Sequence, residues 1–192
     1  MDKARNALLA EAQFEPRQRV LDLGCGTGSL VIQLKRRHAH LEVVGLDPDR
    51  KALGRARRKA SAAGVAVELD QGFSYALGYR SASFDLVLSS FMFHHLQHGE
   101  RERTLREVYR VLKLGGRFLL LDFEVRESGT HHVLSRLFHK HATVEQNSEG
   151  RILGLMKDAG FTSARKLKGQ SVLFGLAHAG YYEASIPNSV SS

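Results

Sequence analysis

The stretch Val20-Leu21-Asp22-Leu23-Gly24-Cys25-Gly26-Thr27-Gly28 constrains the fold of this chain more than any other segment. Val20 to Leu23 is a short apolar run and reads as a strand. Glycines follow at positions 24, 26 and 28, and Leu30, Ile32 and Leu34 then lie in a predicted helix of residues 28–38. A glycine loop between strand and helix lets the backbone turn sharply and approach a ligand closely. The helix start offers that ligand free N–H groups. A dinucleotide fingerprint wants its third glycine at position 29. Position 29 is Ser and the glycine sits at 28, which argues against a pyrophosphate-binding dehydrogenase.

The rest of the chain alternates strand and helix. Leu41 to Leu46 reads as the second strand, and Asp47 ends it, nineteen residues after Gly28. A carboxylate there can accept hydrogen bonds from both hydroxyls of a ribose. Asp49 is placed to cap a helix marked by Leu53, Ala56, Ala60 and Ala63, and Gly64 stops it. Val65 to Leu69, Phe84 to Ser90 and Arg117 to Phe123 read as strands three to five. Leu105, Val108, Tyr109 and Leu112 form one helical face before the turn at Gly115-Gly116. Ile152, Leu155, Met156 and Ala159 mark a further helix, ended by Gly160. Phe161 to Leu167 and Ser171 to His178 are the expected last strands. Only Lys168-Gly169-Gln170 joins them, too short for a parallel crossover, so they should pair antiparallel.

The predicted fold is therefore α/β: a Rossmann-like, doubly wound, seven-stranded sheet, mostly parallel with an antiparallel last strand. One domain over residues 1–192 is expected, with its core at about 17–180 and no linker dividing it. Residues 124–149 follow the fifth strand and carry an amphipathic stretch, Val133, Leu134, Leu137, Phe138 and His141, with Thr130 placed to cap it. That segment is either a lid inserted at the ligand edge of the sheet or a surface helix. The tail after Tyr182 is polar and reads as disordered.

Composition closes off several classes. Hydrophobic residues make up 43% and charged residues 25%, as in a soluble globular protein. No apolar run reaches the roughly 20 residues of a bilayer span, and residues 1–14 lack the pattern of a secretory signal. Cys25 is the only cysteine, so no internal disulfide forms and a reducing cytoplasm fits. The formal charge of +8 permits an acidic partner without demanding one. Much of the excess lies in Lys35-Arg36-Arg37 and in Arg55, Arg57, Arg58 and Lys59, read as late helical turns where cations complement the dipole.

The glycine stretch resembles motif I of the class I S-adenosylmethionine-dependent methyltransferases. Val43-Val44-Gly45-Leu46-Asp47 resembles their second motif, and Phe84-Asp85-Leu86-Val87-Leu88-Ser89-Ser90 followed by His94-His95-Leu96 resembles their fourth. Arg106 to Arg117 resembles their helix and turn before strand five. The style is that of the small-molecule branch that includes the ubiquinone and menaquinone biosynthesis methyltransferases, over about residues 17–180. The resemblance implies S-adenosylmethionine as cofactor. Asp22 and the loop Gly24, Cys25, Gly26, Thr27 and Gly28 would hold its methionine end. Asp47 would bind the ribose and Pro48 would pack on the adenine. Asp70, with Gln71 beside it, would meet the adenine amino group, and the backbone of Ser89 would lie near the methionine. The loop from Gly72 to Tyr79 departs from the family's sequence. Only about sixteen residues precede the first strand, where many relatives carry a longer helical cover. The pocket is then open, covered by residues 124–149, or closed by a second subunit or a membrane.

Methyl transfer from a sulfonium is an in-line displacement, so the protein mainly positions donor and acceptor. A base is needed only where the acceptor must lose a proton. His94 and His95 follow strand four at the ligand edge; each is a candidate base, or the pair shapes the turn. His131, His132, His139 and His141 lack a ligand spacing, and no metal site is expected. Ser89-Ser90 stand where magnesium-dependent catechol enzymes have Asp, and Ser90-Phe91-Met92-Phe93 replaces the Asn/Asp-Pro-Pro-Tyr of base-amino methyltransferases. Nucleic acid is thus disfavoured as a partner. Phe91, Met92 and Phe93 favour an apolar organic acceptor or else pack in the core. The expected activity is methyl transfer to an O, N or C nucleophile of a small metabolite, in a monomer or homodimer. Peripheral membrane contact, with a phospholipid or quinone acceptor, is one alternative. A non-catalytic S-adenosylmethionine- or RNA-binding module is the other.

Overall fold

Strand β1 (Arg19–Leu23) is buried from Val20 onward on both of its faces, as a central strand of a parallel sheet must be. It pairs in parallel with β2 (Glu42–Asp47) on one side and with β4 (Phe84–Ser90) on the other. β3 (Glu68–Gln71) extends the sheet beyond β2, and β5 (Leu112–Phe123) extends it beyond β4, both in parallel. β7 (Ala177–Ser185) runs antiparallel between β5 and β6 (Ser163–Val172). The order is β3-β2-β1-β4-β5-β7-β6 in this computed structural model, which describes residues 1–124, 148–173 and 177–188. The α/β, Rossmann-like architecture expected from the sequence is the one observed.

Alternate residues of each strand serve opposite faces. Val20, Val43, Leu86, Leu88 and Leu119 pack beneath α1 (Asp2–Ala12), α2 (Ser29–Arg37) and α3 (Arg50–Ala62). Leu21, Leu23, Val44, Val87 and Phe118 pack beneath α4 (His98–Val111) and α5 (Glu149–Asp158). Three of the helices carry local signals. Asp49 caps α3 by accepting from the Lys51 N–H. Gln97 and Glu100 form a capping box on α4. Lys35, Arg36 and Arg37 occupy the last turn of α2.

The departures from expectation sit at the strand ends. β3 begins at Glu68, three residues later than Val65. Gly115-Gly116 is a bulge inside β5, where Leu112 to Arg117 oppose only Phe84 to Leu86, and it is not a turn before a shorter strand. Lys168-Gly169-Gln170 lies within β6, so the antiparallel pairing holds but the connection falls later. The polar tail is ordered as far as it is described: Glu183 continues β7 between Arg117 and Arg165, and Ile186 is buried. Residues 125–147 of the lid expected over 124–149, with the four histidines at 131, 132, 139 and 141, lie outside the described residues.

Candidate active site

The chain reverses its direction of travel across the sheet at β1, and the crevice above the carboxyl ends of β1 and β4 is where open α/β sheets hold ligands. The glycine loop fills the floor of that crevice. Gly24 and Cys25 both donate their N–H to the carbonyl of Leu46, at 2.8 and 2.9 Å, which ties the loop to β2. Gly24 has φ +76°, and a Cβ there would lie 2.3 Å from Cγ of Met92. Gly28 has φ +77°, and a Cβ would lie 2.8 Å from Cβ of Ala56, so the third glycine lets α3 close on the loop. Asp47 holds the loop from the other strand: its carboxylate accepts from Gly26 N–H at 2.8 Å and from Asp49 N–H at 2.9 Å. Thr27 accepts from the ammonium of Lys59 at 2.8 Å. The Cys25 thiol is buried, and that burial pushes its pKa far up, so it stays protonated as packing material.

Above the loop lie two cavities of about 380 and 260 Å³ that meet at Gly24, Asp47, Met92 and His95. Asp22 and Arg5 stand in the smaller one. Asp22 is 1% exposed, and neither carboxylate oxygen has a hydrogen-bond partner among the described residues. Burial pushes its pKa from 3.8 to about 7; the positive charge of Arg5 opposes that rise and the negative charge of Asp47 adds to it. A buried carboxylate without a donor is unfavourable by itself, and here it faces a cavity. Arg5 reaches the same cavity from α1, with its Nε 3.4 Å from Oγ of Ser90. A ligand bearing both an ammonium and a carboxylate, as an α-amino acid does, fits this pair of charges.

The structure brings Asp22, the loop from Gly24 to Thr27, Asp47, Pro48 and His95 to the two cavities. Gly28 turns the chain into α2 just behind them. Ser89 is fully buried in β4, and its neighbour Ser90 lines the smaller cavity. Gln71 donates to the Pro48 carbonyl at 3.2 Å and braces it. Asp70 is not brought to the cavity. Its register partner is Leu46, whereas Asp47 pairs with Gln71, and Asp70 accepts from the Tyr79 hydroxyl at 2.8 Å. The wall expected from Asp70 is formed instead by Gly72, Phe73, Ser74 and Tyr75. Phe93, one of three residues offered for the acceptor, is fully buried in the core under α4, while Phe91 and Met92 do line the smaller cavity.

The two histidines divide. His95 faces both cavities. His94 stands behind it, ring centroids 4.0 Å apart, and its Nδ1 lies 2.5 Å from Oδ1 of Asp122. Asp122 is wholly buried at the end of β5 and also accepts the backbone N–H groups of His94 and Phe123, at 2.9 and 2.7 Å. A carboxylate held by two backbone donors faces Nδ1 as an acceptor, so Nδ1 carries the proton and Nε2 is left as the basic nitrogen. Arg101, fully buried in α4, donates to the carbonyl of Leu96 at 3.0 Å and lies 5.5 Å over the Phe93 ring. It thereby fixes the 3₁₀ turn Phe93–His95 that carries both histidines.

Arg5 and Asp122 are the functional residues that sequence reasoning missed. Arg5 carried a weak signal: Ala4, Leu8 and Ala12 form an i, i+4, i+8 stripe that docks α1 on the sheet and turns Arg5 toward its carboxyl edge. Asp122 carried the same signal as Asp47, an acid closing an apolar strand. Among the described residues, no group of His, Cys, Asp and Glu could hold a metal, and no helix is long and apolar enough to cross a membrane.

Residues 20–116, half of the chain, match a family model described as a methyltransferase domain. The demethylmenaquinone methyltransferase of Deinococcus radiodurans is 38% identical over 71% of this chain and 56% of its own length. An uncharacterized methyltransferase of Synechocystis is 33% identical over 82% of this chain and 73% of its own. The chain thus spans about half the length of the demethylmenaquinone methyltransferases it matches. Among solved structures, phosphoethanolamine N-methyltransferase 2 of Haemonchus contortus, in complex with S-adenosyl-L-methionine, superposes with a TM-score of 0.81 at 18% identity, covering 96% of this chain and 52% of that one. With the glycine loop, the acid at the end of β2 and the sheet order in place, these matches show that the chain belongs to the methyltransferase domain family.

Proposed function

We propose that this chain transfers a methyl group from S-adenosylmethionine to a nucleophilic atom of a small, partly apolar organic acceptor. The observation that carries this is the unpartnered, buried carboxylate of Asp22 facing a cavity it shares with Arg5. Asp22 would take the ammonium of the methionine moiety and Arg5 its carboxylate. Asp47, at the junction of the two cavities, would accept the ribose hydroxyls on lone pairs that Gly26 and Asp49 leave open. The bound cofactor supplies an electrophilic methyl on a good leaving group. The chain's own part is to fix that geometry and keep water out, effects worth up to about 7–11 kcal/mol in favourable cases. Where the acceptor must lose a proton, the histidine pair takes it, with His95 meeting the acceptor at the cavity and His94 behind it, where Asp122 stabilises the resulting imidazolium.

A quinone-like ring is the acceptor class we favour. The similarity to demethylmenaquinone methyltransferases supports it, as do the apolar Phe91 and Met92 on the cavity wall. The second reading, action at a lipid surface, draws on the +8 charge and the exposed cations of α3. Sedimentation with anionic vesicles that is lost at high salt supports that reading, and no sedimentation at low salt refutes it.

The direct test is transfer of labelled methyl from S-adenosylmethionine into fractionated lysate, separating lipid, nucleic acid, protein and small molecules. Label in the small-molecule or lipid fraction is expected. Cofactor binding without transfer to any fraction would leave only a binding module. Asp47→Ala is expected to weaken S-adenosylhomocysteine binding by about 1–3 kcal/mol, the scale of lost hydrogen bonds to a charged group. It also frees the Gly26 amide, so the loop should exchange its amide hydrogens faster. Unchanged affinity by calorimetry would remove Asp47 from the site.

A further inference from the structure

The wall that replaces Asp70 is aromatic. Phe73 is 52% exposed, lines the larger cavity, and stacks on Tyr75 with centroids 5.2 Å apart and 18° between planes. Arg103 lies 4.8 Å from the Tyr75 ring centroid. Isolated exposed apolar residues are ordinary on protein surfaces. Phe73 differs because it sits on an anchored loop. Gly72 donates to the Asp47 carbonyl, Ala76 to the Phe73 carbonyl, and the buried hydroxyls of Ser74 and Thr104 bond at 2.9 Å. Glu107 and Arg110 of α4 hold Leu77 and Tyr79. The ring is therefore presented to the cavity, not merely left outside the core. Asp70, meanwhile, is turned to the α4 face, where Tyr79 donates to it and packs edge-on to Phe84.

We infer that Phe73 is the base-binding residue of this cleft, gripping a purine by stacking on its ring, and that Asp70 does not read the base's amino group. The inference rests on the proposed use of S-adenosylmethionine and adds how its adenine is held. A flat π-face accepts any purine, and a carboxylate at that wall would select for an exocyclic amine. With Asp70 withdrawn, and Glu100 of the same cavity accepting from the Gln97 N–H, the aromatic side chains on this wall recognise the base by shape.

Calorimetry with S-adenosylhomocysteine on the full chain and three variants tests it. Phe73→Ala is expected to weaken binding by about tenfold or more, the scale of a lost base–aromatic stack. Asp70→Asn keeps an acceptor for Tyr79 and should stay within about twofold of the parent. Phe73→Trp introduces the chain's sole tryptophan. Its fluorescence should be quenched by S-adenosylhomocysteine and unmoved by homocysteine, which lacks the base. Full affinity in Phe73→Ala, or a large loss confined to Asp70→Asn, overturns the inference while leaving the cofactor assignment intact. Failure of the parent chain to bind S-adenosylhomocysteine overturns both.

Discussion

Asp22→Asn is expected to abolish tight cofactor binding and, at the same time, to make the ligand-free protein more stable at neutral and alkaline pH. The carboxyl of Asp22 has a pKa of about 7 in the fold against an ordinary 3.8, because it is buried with no donor. The folded chain therefore holds this proton more tightly than the unfolded chain does. The sign follows: the group's contribution is fully favourable below about pH 4, declines as pH rises, and is lost above about pH 7. That rise corresponds to a penalty on the order of 4 kcal/mol once the group is ionised. Asn carries no charge but leaves its own amide under-bonded, so the gain at pH 8 should be smaller, about 2 kcal/mol. Denaturation of parent and variant at pH 5 and pH 8 checks it: the variant gains at pH 8 and not at pH 5. Binding should move the other way. Loss of the ammonium's partner weakens S-adenosylhomocysteine by at least about 2 kcal/mol, some thirtyfold. In the parent, affinity should fall about tenfold from pH 8 to pH 6 as Asp22 protonates, and the variant should be flat over that range. An Asp22→Asn protein that binds normally would place the methionine moiety elsewhere.

That opposition between stability and binding was half legible in the sequence. Asp22 entered through the resemblance alone, and its oddity shows once β1 is seen to be buried, because an acid does not belong in a fully buried strand without a reason. Its neighbour Arg5 is not visible at once, because only the docking of α1 brings residue 5 to β1. The core strands and the cofactor loop were legible because their signals are local: apolar runs, glycine spacing, an acid at a strand end. Asp70 shows where local signals stop. It too is an acid near a strand end, but β3 begins at Glu68, and a single step in register decides which face an acid serves. Phe73 lies on a loop with no period to read, so its place in the cavity depends on anchors from α4 that are thirty residues away. The polar end of β7 misled for another reason. Glu183 is charged within a strand because Arg117 and Arg165 flank it from both neighbouring strands.

The dyad of His94 and Asp122 was legible in one member only, and it carries the second large effect. Asp122→Asn should lower kcat by about 10²- to 10⁴-fold for an acceptor that must be deprotonated, with little change in cofactor affinity. With its carbonyl oxygen in the place of Oδ2, Asn still accepts the N–H of His94 and keeps the backbone turn, while the Phe123 N–H loses its acceptor. Its amide nitrogen would then face Nδ1 of His94 and donate to it. That reverses the tautomer: Nδ1 becomes the acceptor and Nε2 carries the proton, leaving no basic nitrogen on His94 behind His95. A purely structural role predicts something different, a loss of melting temperature and of cofactor binding together, since the turn Phe93–His95 also supports His95 in the cleft. The discriminating readout is the pH profile. In the parent, kcat should rise with pH to a plateau as one basic group loses its proton. In Asp122→Asn the residual rate should climb with hydroxide and show no plateau set by that group. His94→Gln should share the low kcat and keep S-adenosylhomocysteine affinity. If both variants turn over at the parent rate, the acceptor reacts as a neutral nucleophile and the dyad serves only to hold the turn.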